Sequence, residues 1–174
     1  GMASCTGLSV LLVDACRAVG VPARFVGTPL WADGSGNHSW VEVWDDGWHF
    51  TGAAEPTGQE LDKAWFTGRA SKALPHDRER AIYAVSYART AVDLPMVWQP
   101  EAETVYAVNV TARYQGKQEL PEGSGLLHVR LRDGFGKRIA KPFKVSDGKG
   151  KLLHEGITFD DGFDANDHAS VVLP

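Results

Sequence analysis

The stretch His38-Ser39-Trp40-Val41-Glu42-Val43-Trp44-Asp45-Asp46-Gly47-Trp48-His49-Phe50-Thr51-Gly52 decides the fold. Its first seven residues alternate strictly. In a strand, side chains at every second position share a face, so His38, Trp40, Glu42 and Trp44 lie on one side and Val41 and Val43 on the other. Asp45-Asp46-Gly47 carries the residues of a tight turn, and Trp48 to Gly52 reads as the returning strand. An antiparallel hairpin is therefore expected over 38–52.

Working outward, the segment before the hairpin reads as a helix. Leu8, Leu11, Leu12, Ala15 and Val19 follow the spacing of one buried helical face. Ser4 and Thr6 suit its start, and Gly20 with Pro22 ends it. Ala23 to Gly27 is expected to be a short strand, and Thr28 to Asn37 a loop rich in Gly and Asp. Beyond the hairpin, Leu61–Leu74 and Glu79–Arg89 are expected helices separated by Pro75. Residues 92–102, with Pro95 and Pro100, read as a connector. From Thr104 the chain becomes a series of short strands divided by Gly- and Asp-containing turns: 105–114, 126–131, 139–145, 152–159 and 169–173. That spacing predicts a small antiparallel β-sandwich. The fold class is thus α+β, with a first domain over 1–103 and a second over 104–174.

Composition narrows the function classes. Hydrophobic residues make up 43% and charged residues 23%, which is the balance of a folded globular chain rather than a disordered one. The formal net charge of −4, without a dense basic patch, argues against a nucleic-acid partner. No apolar run approaches the roughly 20 residues of a membrane span. The first residues lack the basic region and cleavage pattern of a signal peptide. Gly1-Met2 reads as a tag remnant, so the sequence is expected to be an excised part of a longer parent, truncated before its first helix. Cys5 and Cys16 are too few for a disulfide framework or a zinc set. Eleven residues apart on one helix they would stand roughly 16 Å apart, which forbids a bond. No metal and no cofactor is implied. The acidic run Asp160, Asp161, Asp164 and Asp167 departs from calcium-loop spacing and reads as a solvated loop.

Two residues carry candidate chemistry. Cys5 falls at the first turn of a helix, where unpaired backbone N–H groups favour an anion and lower a thiol pKa. His38 opens a strand directly after a Gly-rich loop, rigidly held yet reachable, as the base for a nucleophilic thiol should be. Each alone is ordinary. The order helix-start Cys, strand-start His, returning strand is that of a papain-type site.

On Ser4-Cys5-Thr6-Gly7, Ala18-Val19-Gly20-Val21-Pro22-Ala23-Arg24, Asn37-His38-Ser39-Trp40-Val41-Glu42-Val43-Trp44 and Gly47-Trp48, the chain resembles the transglutaminase-like superfamily. The resemblance covers residues 3–56. It implies a papain-like core, a Cys5 nucleophile, a His38 base, a thioester intermediate, and a protein or peptide substrate. It also implies an Asp four residues after the Trp of the returning strand, and that position here is Gly52. The nearest downstream acid is Glu55, whose longer side chain can orient His38 from a displaced backbone position, with Thr51 or a backbone carbonyl as alternatives. Related enzymes also draw an oxyanion donor from helices before the nucleophile, of which this chain has none. Trp31, in the loop before the Gly-rich stretch, and Trp40 are the expected substrate contacts. Trp40, Trp44 and Trp48 lie on or beside one hairpin, and such a set more often serves as cross-strand packing. The region from 104 resembles the carboxypeptidase-regulatory-like or prealbumin-like sandwiches that flank extracytoplasmic enzymes. The expected function is a cysteine peptidase or related acyl transferase; the competing one is a binding module that kept the fold and lost the chemistry.

Overall fold

A computed structural model describes residues 3–55, 58–95, 97–116, 121–164 and 168–173. It divides into two compact units, 1–115 and 116–174. Among the described residues, no helix is long and apolar enough to cross a membrane.

The first unit begins with helix α1 (Cys5–Ala18), followed by strands β1 (Ala23–Thr28), β2 (His38–Trp44) and β3 (Trp48–Thr51). The short helix α2 (Thr67–Ala70), strands β4 (Tyr83–Val85), β5 (Val92–Asp93) and β6 (Tyr106–Asn109), and the short helix α3 (Thr111–Tyr114) complete it. The strands form one antiparallel sheet in the order β3-β2-β1-β4-β6-β5. The hairpin forms where the alternation places it. Asp46 takes a left-handed φ of 53° in the turn, a conformation that Asp tolerates better than most residues.

Two sides of this sheet are filled differently. Beneath α1 lie Val41 and Val43 of β2 with Ala23 and Phe25 of β1, packed against Leu12, Val13 and Cys16. The opposite side holds a larger core of Val26, Trp31, Trp40, Phe66, Ile82 and Tyr114. Trp44 and Trp48 pair edge to face at 5.4 Å across the hairpin, which is cross-strand packing.

Four expectations are corrected. The helix face is the first: Ser9 and Val13 are the buried positions of α1, while Leu11 is 65% exposed and Val19 is also exposed. The helix is apolar on more than one side, so periodicity alone did not choose the face. The helical expectation for 79–89 fails because Tyr83–Val85 is a strand held between β1 and β6. The helical expectation for 61–74 survives only over Thr67–Ala70. Finally, the division between units falls after Gln115 rather than near 103. Tyr106–Asn109 pairs with β4, and Thr111–Tyr114 coils into α3 and seats Tyr114 in the first core.

A buried polar cluster ties these parts together. Glu42, 2% exposed, sits mid-strand on β2. Arg24, its register partner on β1, donates from Nε to Glu42 Oε2 at 2.6 Å. Tyr114 of α3 donates its hydroxyl to Glu42 Oε1 at 2.7 Å and accepts from Trp40 Nε1 at 2.8 Å. The Arg24 guanidinium also lies 4.0 Å from the centre of the Trp48 ring. Burial, foremost, and the Glu42 charge push the Tyr114 hydroxyl well above its usual range, so it remains a donor.

The second unit holds two antiparallel pairs, β7 (Gly125–Val129) with β10 (Ala169–Leu173) and β8 (Pro142–Ser146) with β9 (Leu152–Ile157). Strand β10 spans the residues expected for it, and the others are shorter than expected. In the acidic loop, Arg138 reaches Asp161 Oδ1 and the Asp164 and Phe163 carbonyls, so a guanidinium occupies the place considered for calcium. Asp167 lies outside the described residues.

Removing one partner from a buried ion pair strands the other charge, which costs about 3–5 kcal/mol. Glu42→Gln is therefore expected to lower unfolding stability by that order in a guanidinium titration. Tyr114→Phe, which strands one bond to Glu42 and one to Trp40, is expected to cost about 1–3 kcal/mol. A Glu42→Gln protein as stable as the parent would show that the cluster does not hold the unit together.

Candidate functional site

Ser4 caps α1, its Oγ accepting from the Gly7 N–H at 3.2 Å. That leaves Cys5 as the first helical residue, half-buried and reduced. Residue by residue, the tip of the helix then meets the start of β2: Thr6 Oγ1 and Ser39 Oγ share a hydrogen bond of 3.0 Å. Each of these residues is the sequence neighbour of a candidate, Thr6 of Cys5 and Ser39 of His38. Positions 5–6 and 38–39 thus meet at the tip of α1, while the His38 ring lies with Trp40 and Phe66 on the face of β2 away from the helix. Among the described residues the Cys5 thiol makes no hydrogen bond, so it is not joined directly to the imidazole in this structure.

His38 is buried at the start of β2. Its ring is walled by aromatics: Trp65 and Phe66 at 5.0 Å, Trp40 at 5.9 Å and Trp31 at 6.0 Å between ring centres. Trp31 stacks on Trp40 with the planes only 4° apart. Both indoles are buried in the core, so neither offers surface to a substrate, contrary to the contact role expected of them. They back the imidazole instead. The half-exposed indole against His38 is Trp65, at 52% exposure, which the reading of 61–74 as an ordinary helix passed over. A Trp-Phe pair amid a polar stretch was the available signal. The Gly-rich loop before His38 is held by Arg69 of α2, which donates to Ser35 Oγ at 2.9 Å and lies 3.8 Å from Asp33.

Glu55 is the acid that faces His38. Its Oε2 stands 3.9 Å from His38 Nε2, an ion-pair separation too long for a hydrogen bond. Nε2 is buried and makes no hydrogen bond. Glu55 is 42% exposed, and an approach of about one ångström would bring it within hydrogen-bond range of that nitrogen. Gly52 explains how the carboxylate gets there. A Cβ on Gly52 would lie 3.3 Å from both Glu55 Oε2 and the Glu55 carbonyl oxygen. The space a side chain at 52 would occupy is filled by the Glu55 carboxylate.

A protein-family model, that of the transglutaminase-like superfamily, matches residues 1–53. The match covers α1 through β3 and stops two residues before Glu55. No curated protein and no solved structure matches the chain.

Burial pushes the His38 imidazole below its ordinary value of 6.5, and the Glu55 charge opposes that in part. The folded state therefore holds fewer protons than the unfolded chain just below pH 6.5, and stability falls as the pH drops through that window. Glu55→Gln removes the opposing charge. The His38 ring protons, followed by NMR, should then titrate at still lower pH, and the acid side of the stability curve should steepen. A titration unmoved by Glu55→Gln would separate the two residues electrostatically.

Proposed function

We propose that this chain carries a papain-like thiol site of transglutaminase type that hydrolyses or transfers acyl groups at an amide, with peptide hydrolysis as its main reaction. The observation that carries the reading is the Glu55 carboxylate, which fills the space above Gly52 and faces Nε2 of His38. The acid expected of such a site is missing from its usual position, and another acid supplies the carboxylate.

The orientation of the ring assigns the proton positions. With Glu55 on the Nε2 side, the neutral imidazole carries its proton on Nε2 and keeps its lone pair on Nδ1. Burial favours that neutral form, the form a base needs. In the proposed cycle Nδ1 takes the Cys5 proton and the thiolate attacks the amide carbonyl carbon. The tetrahedral adduct collapses to a thioester as the imidazolium protonates the departing amine. Water, deprotonated by Nδ1, then releases the acid and restores the thiol. Glu55 holds the ring in place and offsets the positive charge it gains. The backbone N–H of Cys5 is one available oxyanion donor. The second unit fits an accessory role, as a sandwich-type module.

The alternative is a non-catalytic binding module, favoured by the lack of a hydrogen bond between the Cys5 thiol and any described residue. Alkylation by iodoacetamide at pH 6 decides between the two, with Cys16 on the same helix as internal reference. An activated Cys5 should react at least about tenfold faster than Cys16 or free cysteine. His38→Gln should abolish the excess, and Glu55→Gln should reduce it. Equal rates at the two cysteines would leave the binding reading standing and end the enzymatic one.

A further inference from the structure

We propose that a shallow groove beside His38 is a subsite for an uncharged, apolar side chain of a peptide substrate, with Trp98 forming its rim. This rests on the thiol-site reading, because it gives that site its substrate preference.

Position comes first. His38 and Ser39 line the groove, so a ligand there lies at the start of β2, beside the residue bonded to Thr6 at the tip of α1. Its other walls come from the turn after β1 and from the segment after β5, through Pro29, Leu94, Val97 and Trp98. These walls are held by the fold. Thr28 Oγ1 donates to the Leu30 carbonyl at 3.1 Å, and the Leu94 N–H donates to the Val105 carbonyl at 2.8 Å. Gly27 keeps β1 close to β2 here, since a Cβ would fall 3.0 Å from the His38 carbonyl oxygen.

Chemistry follows from the lining. Among the described residues, no Lys, Arg, Asp or Glu contributes to it. A charged side chain entering the groove would lose hydration and find no counter-ion. An apolar one would cover carbon surface that is now wet: Trp98 is 53% exposed, and its neighbour Val97 is exposed as well. Exposed apolar residues gathered at a concavity mark a ligand site more than a surface decoration. Asn37, exposed in the same lining and without a hydrogen bond among the described residues, offers its carboxamide to a substrate backbone. A peptide residue with an aromatic or aliphatic side chain matches both features.

The test measures alkylation of Cys5 by the bromoacetyl derivatives of phenylalanine amide and of aspartic acid amide, located by peptide mass mapping. Each rate is divided by that of free cysteine with the same reagent. The phenylalanine probe should be favoured by about tenfold, and Trp98→Ser and Val97→Asp should each bring the ratio within about twofold of unity. A ratio of one in the parent protein, or a high ratio that survives both substitutions, overturns the subsite. An activated Cys5 with a ratio of one would keep the thiol-site reading and reject the groove. A high ratio lost in both variants, in a protein whose Cys5 is no faster than free cysteine towards iodoacetamide at pH 6, would support the groove and reject the thiol chemistry.

Discussion

A carboxylate buried in the middle of a strand constrains everything around it. Taking Glu42 out of water carries a penalty of several kcal/mol unless its oxygens are met by good donors. Here they are met by Arg24, directly opposite on β1, and by Tyr114, 72 residues further along the chain. Because strand side chains alternate, the register that brings Glu42 to Arg24 also puts Trp40 and His38 on the same face. A slip of one residue would push the acid under α1, against Val13, and turn the imidazole out of its aromatic wall. The placement of the proposed base is therefore a by-product of burying an acid.

The aromatic layer passes this constraint on. Tyr114 holds Trp40 through the indole N–H, Trp40 carries Trp31 stacked on it, and both rings bound His38. Phe66 fills the remaining side at 4.7 Å from Trp40. With two χ angles each and neighbours on every side, these rings have little freedom. The imidazole inherits a fixed orientation, and its softer neighbours among the described residues are the half-exposed Glu55 and Trp65. The same packing lowers its proton affinity, since a dry aromatic pocket disfavours the imidazolium.

What could be read from the sequence was local. The hairpin was legible because period-two alternation and an Asp-Asp-Gly turn point the same way. The start of α1 was legible from Ser4, but its buried face was not, because Val10, Leu11 and Val19 are apolar and yet exposed. Only contact with the sheet, which selects the small Ser9 and Cys16, decides the phase. Tyr83–Val85 was missed because it is three residues long, and its neighbours make a strand of it, not its own propensity. The β-branched run at 105–110 carries no mark of which unit it joins; its pairing with β4 is a long-range fact. Of the candidate residues, Glu55 was legible as the nearest acid to Gly52, and it lies 3.9 Å from His38. Trp31 and Trp40 were recognised as important, but as surface when they are core, because residue type does not report depth.

Glu55 and His38 are anchored differently. His38 is locked in a strand by the sheet's own hydrogen bonds, whereas Glu55 hangs from the irregular chain after β3. In a site with both groups on neighbouring strands, the sheet sets their spacing once. Here the spacing is a property of a short exposed segment, which mutation or a bound partner can alter without disturbing the core. Whatever strength the imidazole has as a base is thereby made adjustable from outside, like a rheostat wired to a fixed contact.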